Sequence, residues 1–226
     1  MNNSEPLVSF KEANILNGEN TVIYGLNLDI NPGDFVYITG KVGTGKTSII
    51  RTIIGENPIN EGKACVCGYD LLSIKEKEIP FLRRKIGVVF QDFQLLMDRS
   101  VYDNLEFVLR ATGWKDEAAI SHRIDEVLSA VGMTTKMHKM PHQMSGGEQQ
   151  RIAIARSLLN NPDIIVADEP TGNLDSETAD GIMQLLCGIN KDNNTAILMV
   201  THNVELCDRY PGKIFLCKDE QCNEKK

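Results

Sequence analysis

No apolar run in this 226-residue chain approaches the ~18–20 residues needed to span a bilayer as a helix. The longest are short, such as Ala196 to Val200. The first residues, Met1 to Pro6, lack the basic and apolar regions of a secretory leader. A cytosolic chain is therefore expected, held by another protein if it works at a membrane. An excess of basic residues is also missing. Lys and Arg number 24 against 31 Asp and Glu, a net charge of −7. That balance argues against sequence-independent nucleic-acid binding and against adsorption to an anionic lipid surface. No 20–50-residue repeat and no low-complexity tract occurs, so solenoids and disordered tracts are excluded.

The cysteines lack the spacing of a metal or redox site. Cys65 and Cys67 have one residue between them, and no His or Cys cluster lies near Cys217 and Cys222. With Cys187 and Cys207, all six are expected as free thiols. With 42% hydrophobic and 24% charged residues, the composition is that of a globular domain able to bury its own core.

What is present begins with β patterning. Leu26, Leu28 and Ile30 alternate with Gly25, Asn27 and Asp29. Asn31 to Asp34 reads as a turn, and Phe35 to Thr39 as a buried strand. A helix is expected from Thr47 to Ile54, closed by Gly55. Strands are expected at 63–67 and 85–90, helical patterning over about 101–132, and a helix at 148–159. Strand 163–167, helix 176–189, strand 195–200, a short helix and strand 213–217 then alternate, which implies a parallel sheet covered by helices. Residues 218–226 read as a polar, frayed tail.

Gly40-Lys-Val-Gly-Thr-Gly-Lys46-Thr47 fits the phosphate-loop pattern, between an expected strand and an expected helix. Glycines let backbone N–H groups turn toward phosphate oxygens, and the helix N-terminus adds partial positive charge. Gly40, Lys41, Val42, Gly43, Thr44, Gly45, Lys46, Thr47 and Ser48 are the candidate nucleotide contacts. Lys46 reaches the β- and γ-phosphates, and Thr47 offers a hydroxyl to Mg²⁺. Asp163 to Glu169 is an apolar strand ending in two acids. Asp168 is the candidate metal ligand, acting through water, and Glu169 the candidate base for an attacking water.

Ser145-Gly146-Gly147-Glu148 opens the helix at 148–159. Two readings stay open for it: a plain helix cap, or a site for the γ-phosphate of a nucleotide held by a second copy.

Met144-Ser-Gly-Gly-Glu-Gln-Gln-Arg151 resembles the signature motif of the ATP-binding cassette (ABC) ATPases, with Met in place of the usual Leu. Gln91, Asp168-Glu169, Leu174-Asp175 and His202 follow that family's order over essentially the whole chain. The resemblance implies an α/β P-loop NTPase (RecA-like) fold with an N-terminal antiparallel β subdomain. It also implies an α-helical subdomain inserted at approximately 92–160, all within one ATP-binding domain over 1–226. Catalytic roles fall to Glu169 as general base, His202 as its support and γ-phosphate contact, and Gln91 as a contact to Mg²⁺ and the attacking water. Thr47, Gln91 and Asp168 are the implied metal contacts. Ser145, Gly146 and Gly147 would close on the partner's ATP, with Asp175 at the seam of an ATP-dependent homodimer. ATP and Mg²⁺ are the implied cofactors.

One element departs from the family. An aromatic that stacks on adenine is missing from Lys11 to Asn20, and Ile15-Leu16 stands in its expected place. Loose base selectivity follows.

The stretch from Glu78 to Leu105 closely resembles the bacterial cell-division branch of the family. That branch works with a four-span membrane protein and activates peptidoglycan hydrolases outside the cell. Gln91, Leu95, Leu96, Met97 and Tyr102 are the candidate groove for this partner, which would hold the chain on the inner face of the plasma membrane. Two alternatives are the ATPase of a lipoprotein or small-molecule exporter, and a nucleotide-switched scaffold of low turnover. DNA-repair members of the superfamily are disfavoured, since no heptad tract or zinc-spaced cysteine set is present.

Overall fold

A computed structural model describes residues 5–225. Two strands open it: β1 (Val8–Asn17) and β2 (Asn20–Ile30), antiparallel across the two-residue turn Gly18-Glu19. β3 (Phe35–Gly40) leads through a glycine-rich loop into α1 (Lys46–Ile53). β4 (Lys63–Val66) and β5 (Tyr69–Asp70) complete a four-stranded antiparallel sheet in the order β2-β1-β4-β5. Next come α2 (Ile79–Arg84), β6 (Ile86–Val89), α3 (Val101–Ala111), α4 (Glu117–Ala130) and α5 (Gly146–Leu158). The chain ends with β7 (Ile164–Asp168), α6 (Ser176–Asn193), β8 (Ala196–Val200), α7 (Val204–Arg209), β9 (Lys213–Lys218) and β10 (Gln221–Glu224).

The second sheet runs β10-β9-β3-β8-β7-β6 and is parallel except at β10. Its central strands are apolar on both faces because both faces are covered: all five residues of β8 are buried. Alternate residues feed two cores. Val36, Ile38, Leu198 and Val200 pack with α1 and the antiparallel sheet. Tyr37, Ala167, Ile197 and Met199 pack with α3 to α6. No helix among the described residues is long and apolar enough to cross a membrane.

Three expectations are corrected. The helical stretch over 101–132 is two helices, broken at Thr112 to Asp116, where Gly113 has φ 100° and Asp116 caps α4 by accepting the Ala119 N–H. The polar tail is not frayed: Gln221–Glu224 forms an edge strand on β9. Its strand character was masked by polar residues, since only Cys222 of the four is buried. Finally, not all cysteines are free. Asp219 and Glu220 both take positive φ, making a two-residue hairpin turn that sets Cys217 opposite Cys222, and these two form a disulfide. Cys65, Cys67, Cys187 and Cys207 are free.

Candidate functional site

Parallel register gathers the candidate residues at one edge of the sheet. Ile38 pairs with Val200 and Asp168 with Val200, so the segments leaving β3, β7 and β8 emerge side by side. This is the carboxyl edge, where open α/β sheets bind ligands.

The loop from β3 to α1 folds as its glycines require. Gly43 and Gly45 have φ 84° and 86°, a region side chains rarely adopt. At Gly40 a Cβ would collide with the Cys217 carbonyl on the neighbouring strand. Thr44 Oγ1 donates to the Lys41 carbonyl at 2.9 Å, tightening the turn. Lys46 is buried, and its Nζ donates to the Gly40 and Lys41 carbonyls at 2.8 Å each. These two carbonyls hold the Lys46 amine at the start of the helix. α1 carries neither an acid in its first turn nor a side-chain cap, so its first N–H groups stay open. A cavity of about 220 Å³ lies here, lined by Asn17, Val22, Val42, Gly43, Gly45, Lys46, Thr47, Ser48 and Glu169.

Asp168 ends β7 beside this cavity. Burial raises its carboxyl above the usual range; a hydrogen bond from the Thr47 hydroxyl opposes that, and Glu169 adds to it. Thr47 and Asp168 thus present two hard oxygen donors next to Lys46. Among the described residues no cluster of three His, Cys, Asp or Glu side chains could hold a metal. Two oxygens completed by water and phosphate are the set Mg²⁺ takes, so these residues fit that ion.

Glu169 is in the left-handed region at φ 47°, with its N–H bonded to the Val200 carbonyl at 2.9 Å. Such a backbone is strained for a non-glycine residue. It sends Glu169 Oε2 to 2.7 Å from His202 Nδ1. Gln91, two residues beyond β6, is held from the other side. Its Nε2 donates to Asn173 Oδ1 at 3.2 Å, and its carbonyl accepts from Asn173 Nδ2 at 3.1 Å. A Cβ on Gly172 would stand 3.1 Å from Gln91 Nε2 and 3.3 Å from Glu169 Oε2. Gly172 and Asn173 were missed as site residues. Their signal was the Thr171-Gly-Asn segment lying between Glu169 and Leu174.

Ser145 caps α5. Its Oγ accepts the Glu148 N–H at 3.3 Å, and Glu148 Oε2 accepts the Ser145 N–H at 2.9 Å. Asp175 caps α6, accepting the Thr178 N–H at 2.9 Å and its hydroxyl at 2.7 Å, which holds the carboxyl below its usual range. Gly147 sits where any Cβ would strike the Thr178 methyl, and Gly146 faces Leu174 at 3.4 Å. The two caps therefore form one packed unit. Neither Ser145, Gly146, Gly147 nor Asp175 lines the phosphate cavity of its own chain.

Two sequence expectations are corrected. Ile15 and Leu16 do not line the cavity: both are buried in the core, and Asn17 and Val22 line it instead. A strand alternates its faces, so the first outward positions are those flanking the turn. Among the described residues no aromatic lines the cavity. Leu95, expected in the partner groove, likewise turns inward. It is 8% exposed and packed with Val101 and Leu105, whereas Leu96 and Met97 are 37% and 53% exposed. Asn104 fixes this turn, accepting the Leu96 N–H at 2.7 Å and donating to the carbonyls of Leu96, Arg99 and Ser100. Arg156 donates to the Phe93 carbonyl at 2.9 Å and to that of Gln94. The nearby cleft, about 420 Å³, includes Phe90, Leu96 and Phe107, but not Gln91, Leu95, Met97 or Tyr102.

Comparison with known proteins agrees with this geometry. The family model described as ABC transporter matches residues 23–172. The chain is 45% identical over 195 residues to the cell division ATP-binding protein FtsE of Bacillus subtilis (strain 168), covering 86% of this chain and 85% of that one. It is 39% identical over 202 residues to FtsE of Escherichia coli (strain K12), covering 89% and 90%. Among solved structures, the ATP-binding cassette MJ0796, a dimer in a post-hydrolysis state with ADP and Pi, superposes with a TM-score of 0.84 at 33% identity, covering 97% of this chain and 98% of that one. This chain belongs to the ABC transporter family, as one of its ATP-binding, ATP-hydrolysing cassettes.

Proposed function

We propose that the chain is the ATPase subunit of an FtsE-like membrane complex. In it, ATP-driven closure of two copies acts on an FtsX-like integral membrane partner to control peptidoglycan hydrolases during cell division. The support is the 39–45% identity to FtsE proteins over most of both chains, together with the paired Glu169 and His202 beside a phosphate loop.

Each copy binds the triphosphate of ATP on the open N–H groups of the loop, with Lys46 against the β- and γ-phosphates. Mg²⁺ held by Thr47 and Asp168, with Gln91 near, would neutralise charge on those phosphates. Glu169 accepts a proton from the attacking water, and His202 keeps its carboxylate turned toward that water. Phosphoryl transfer is mostly positioning and charge stabilisation, so little more is asked of the side chains. The second copy brings Ser145, Gly146 and Gly147 over the γ-phosphate, with Asp175 at the seam. Both readings of Ser145 then hold at once: its cap fixes the helix start that the nucleotide meets. Closure and turnover are linked because neither copy has a complete site alone.

Leu96 and Met97 stay in the partner surface, and Leu95 drops out of it. The partner would keep this chain on the cytoplasmic face of the membrane. Affinity capture from detergent-solubilised bacterial membranes tests this reading. A four-span membrane protein is the expected prey. Capture of an export permease instead overturns the cell-division assignment and leaves the ATPase mechanism standing.

A further inference from the structure

The start of α5 carries a charge that works against its proposed role. A helix N-terminus is equivalent to roughly +0.5 charge. Glu148 brings a full negative charge to the same turn, its Oε2 within 2.9 Å of the Ser145 nitrogen. Left alone, the two sum to a net negative end facing a triphosphate. Lys136 changes the sum. It ends a short 3-10 turn (Thr134–Lys136) after α4, on the segment leading to α5, and its Nζ lies 2.8 Å from Glu148 Oε1. Both side chains are about one-third exposed or less, 34% and 26%, so bulk water screens the pair incompletely. With Lys136 in place the turn is positive again. Its N–H groups at Gly146 and Gly147 have no acceptor within the helix, since the cap engages those of Ser145 and Glu148.

We propose that Lys136 is a positioning residue for the shared phosphate site: by neutralising Glu148, it lets the start of α5 accept the polyphosphate carried by a second copy. This rests on the shared-site reading of Ser145 to Gly147 given above. Lys136 acts through Glu148 and need not touch the nucleotide. Glu148 keeps its own task, because its second oxygen completes the reciprocal cap. The pair therefore preserves a rigid helix start without leaving an anion there. An ordinary surface ion pair would add little to stability and would leave ATP-driven association unchanged when removed.

The test uses the full chain in a Glu169→Gln background, where hydrolysis does not interfere. The ATP concentration giving half-maximal dimer is measured by light scattering with Mg²⁺ present, beside binding of a fluorescent ATP analogue to the dilute monomer. Lys136→Met is expected to raise the half-maximal ATP concentration about tenfold, the order of effect of one uncompensated charge in a partly screened setting. Monomer binding and melting temperature should stay level, and Lys136→Arg should behave as the parent. Adding Glu148→Gln to Lys136→Met should restore association, and raised salt should narrow the gap between Lys136→Met and the parent. If Lys136→Met dimerises at the parent's ATP concentration, the proposal is overturned. It is also overturned if the defect persists after Glu148→Gln, for Lys136 would then act on the nucleotide directly. A parent that stays monomeric at saturating Mg-ATP instead removes the shared-site reading itself, and the role of Lys136 with it.

Discussion

Glu169 Oε2 and His202 Nδ1 lie 2.7 Å apart, joining the residue after β7 to the second residue after β8. Parallel pairing of Asp168 with Val200 sets this contact, so it comes from the sheet and not from a flexible loop. His202→Ala frees Glu169 to rotate. Turnover is expected to fall about 100-fold, the lower range for loss of positioned proton transfer. ATP affinity, measured by equilibrium binding, should change little.

Asp168 is the place where function opposes stability. Its carboxyl is raised by burial, so its charged form is disfavoured in the folded state. An acid whose folded pKa is raised contributes stability below its unfolded pKa and loses that contribution as pH rises through the folded value. Above the folded value the ionised group therefore opposes folding. Asp168→Asn is expected to stabilise the nucleotide-free protein by about 1 kcal/mol, the usual range for relieving a strained site. Calorimetry checks the rise in melting temperature, and a phosphate-release assay should show that Mg-dependent turnover is lost.

Leu95 and Leu96 are neighbours with opposite roles. Leu95→Ala removes a buried side chain and should cost about 3 kcal/mol of folding stability. Leu96→Glu sits in the cleft and should change stability by less than about 0.5 kcal/mol, as surface substitutions do. It is expected to abolish capture of the membrane partner. Denaturant titration and pull-down, run on both variants, separate the two effects.

The cavity at the phosphate loop is lined by Asn17 and Val22 and, among the described residues, by no aromatic ring. An aromatic stacking contact is worth about 0.5–1.5 kcal/mol, up to roughly tenfold in affinity. ATP and GTP are therefore expected to compete within a few-fold of each other for the monomer. Val22→Tyr should tighten ATP binding in the same competition assay. A clear ATP preference in the unaltered chain contradicts the absence of stacking.

The sites legible in the sequence were those whose chemistry is local. Gly40 to Ser48 carries its own turn, phosphate contacts and helix start within one loop. Asp168 and Glu169 were legible because an apolar strand points them at that loop. Surfaces were harder to read. Leu95, Leu96 and Met97 are equally apolar, and only the bonds from Asn104 and Arg156 decide which of them turns inward. Ile15 and Leu16 were misplaced because chain position alone cannot show which way a strand residue faces. β10 was hidden by its polar residues, and Cys217 with Cys222 by a spacing that matters only once the hairpin exists. Asn173 holds Gln91 across 82 positions, a contact that no local pattern encodes.

In the shared-site mechanism one chain holds half of each working site: Lys46 lines the phosphate cavity and Ser145 does not. Glu169→Gln should stop hydrolysis while leaving ATP binding intact. Its mass in solution, measured by light scattering with saturating Mg-ATP, tests the claim most directly. A dimer that forms with Mg-ATP and disperses when nucleotide is removed is the expected result. A monomer under the same conditions, with ATP bound, contradicts the shared-site mechanism.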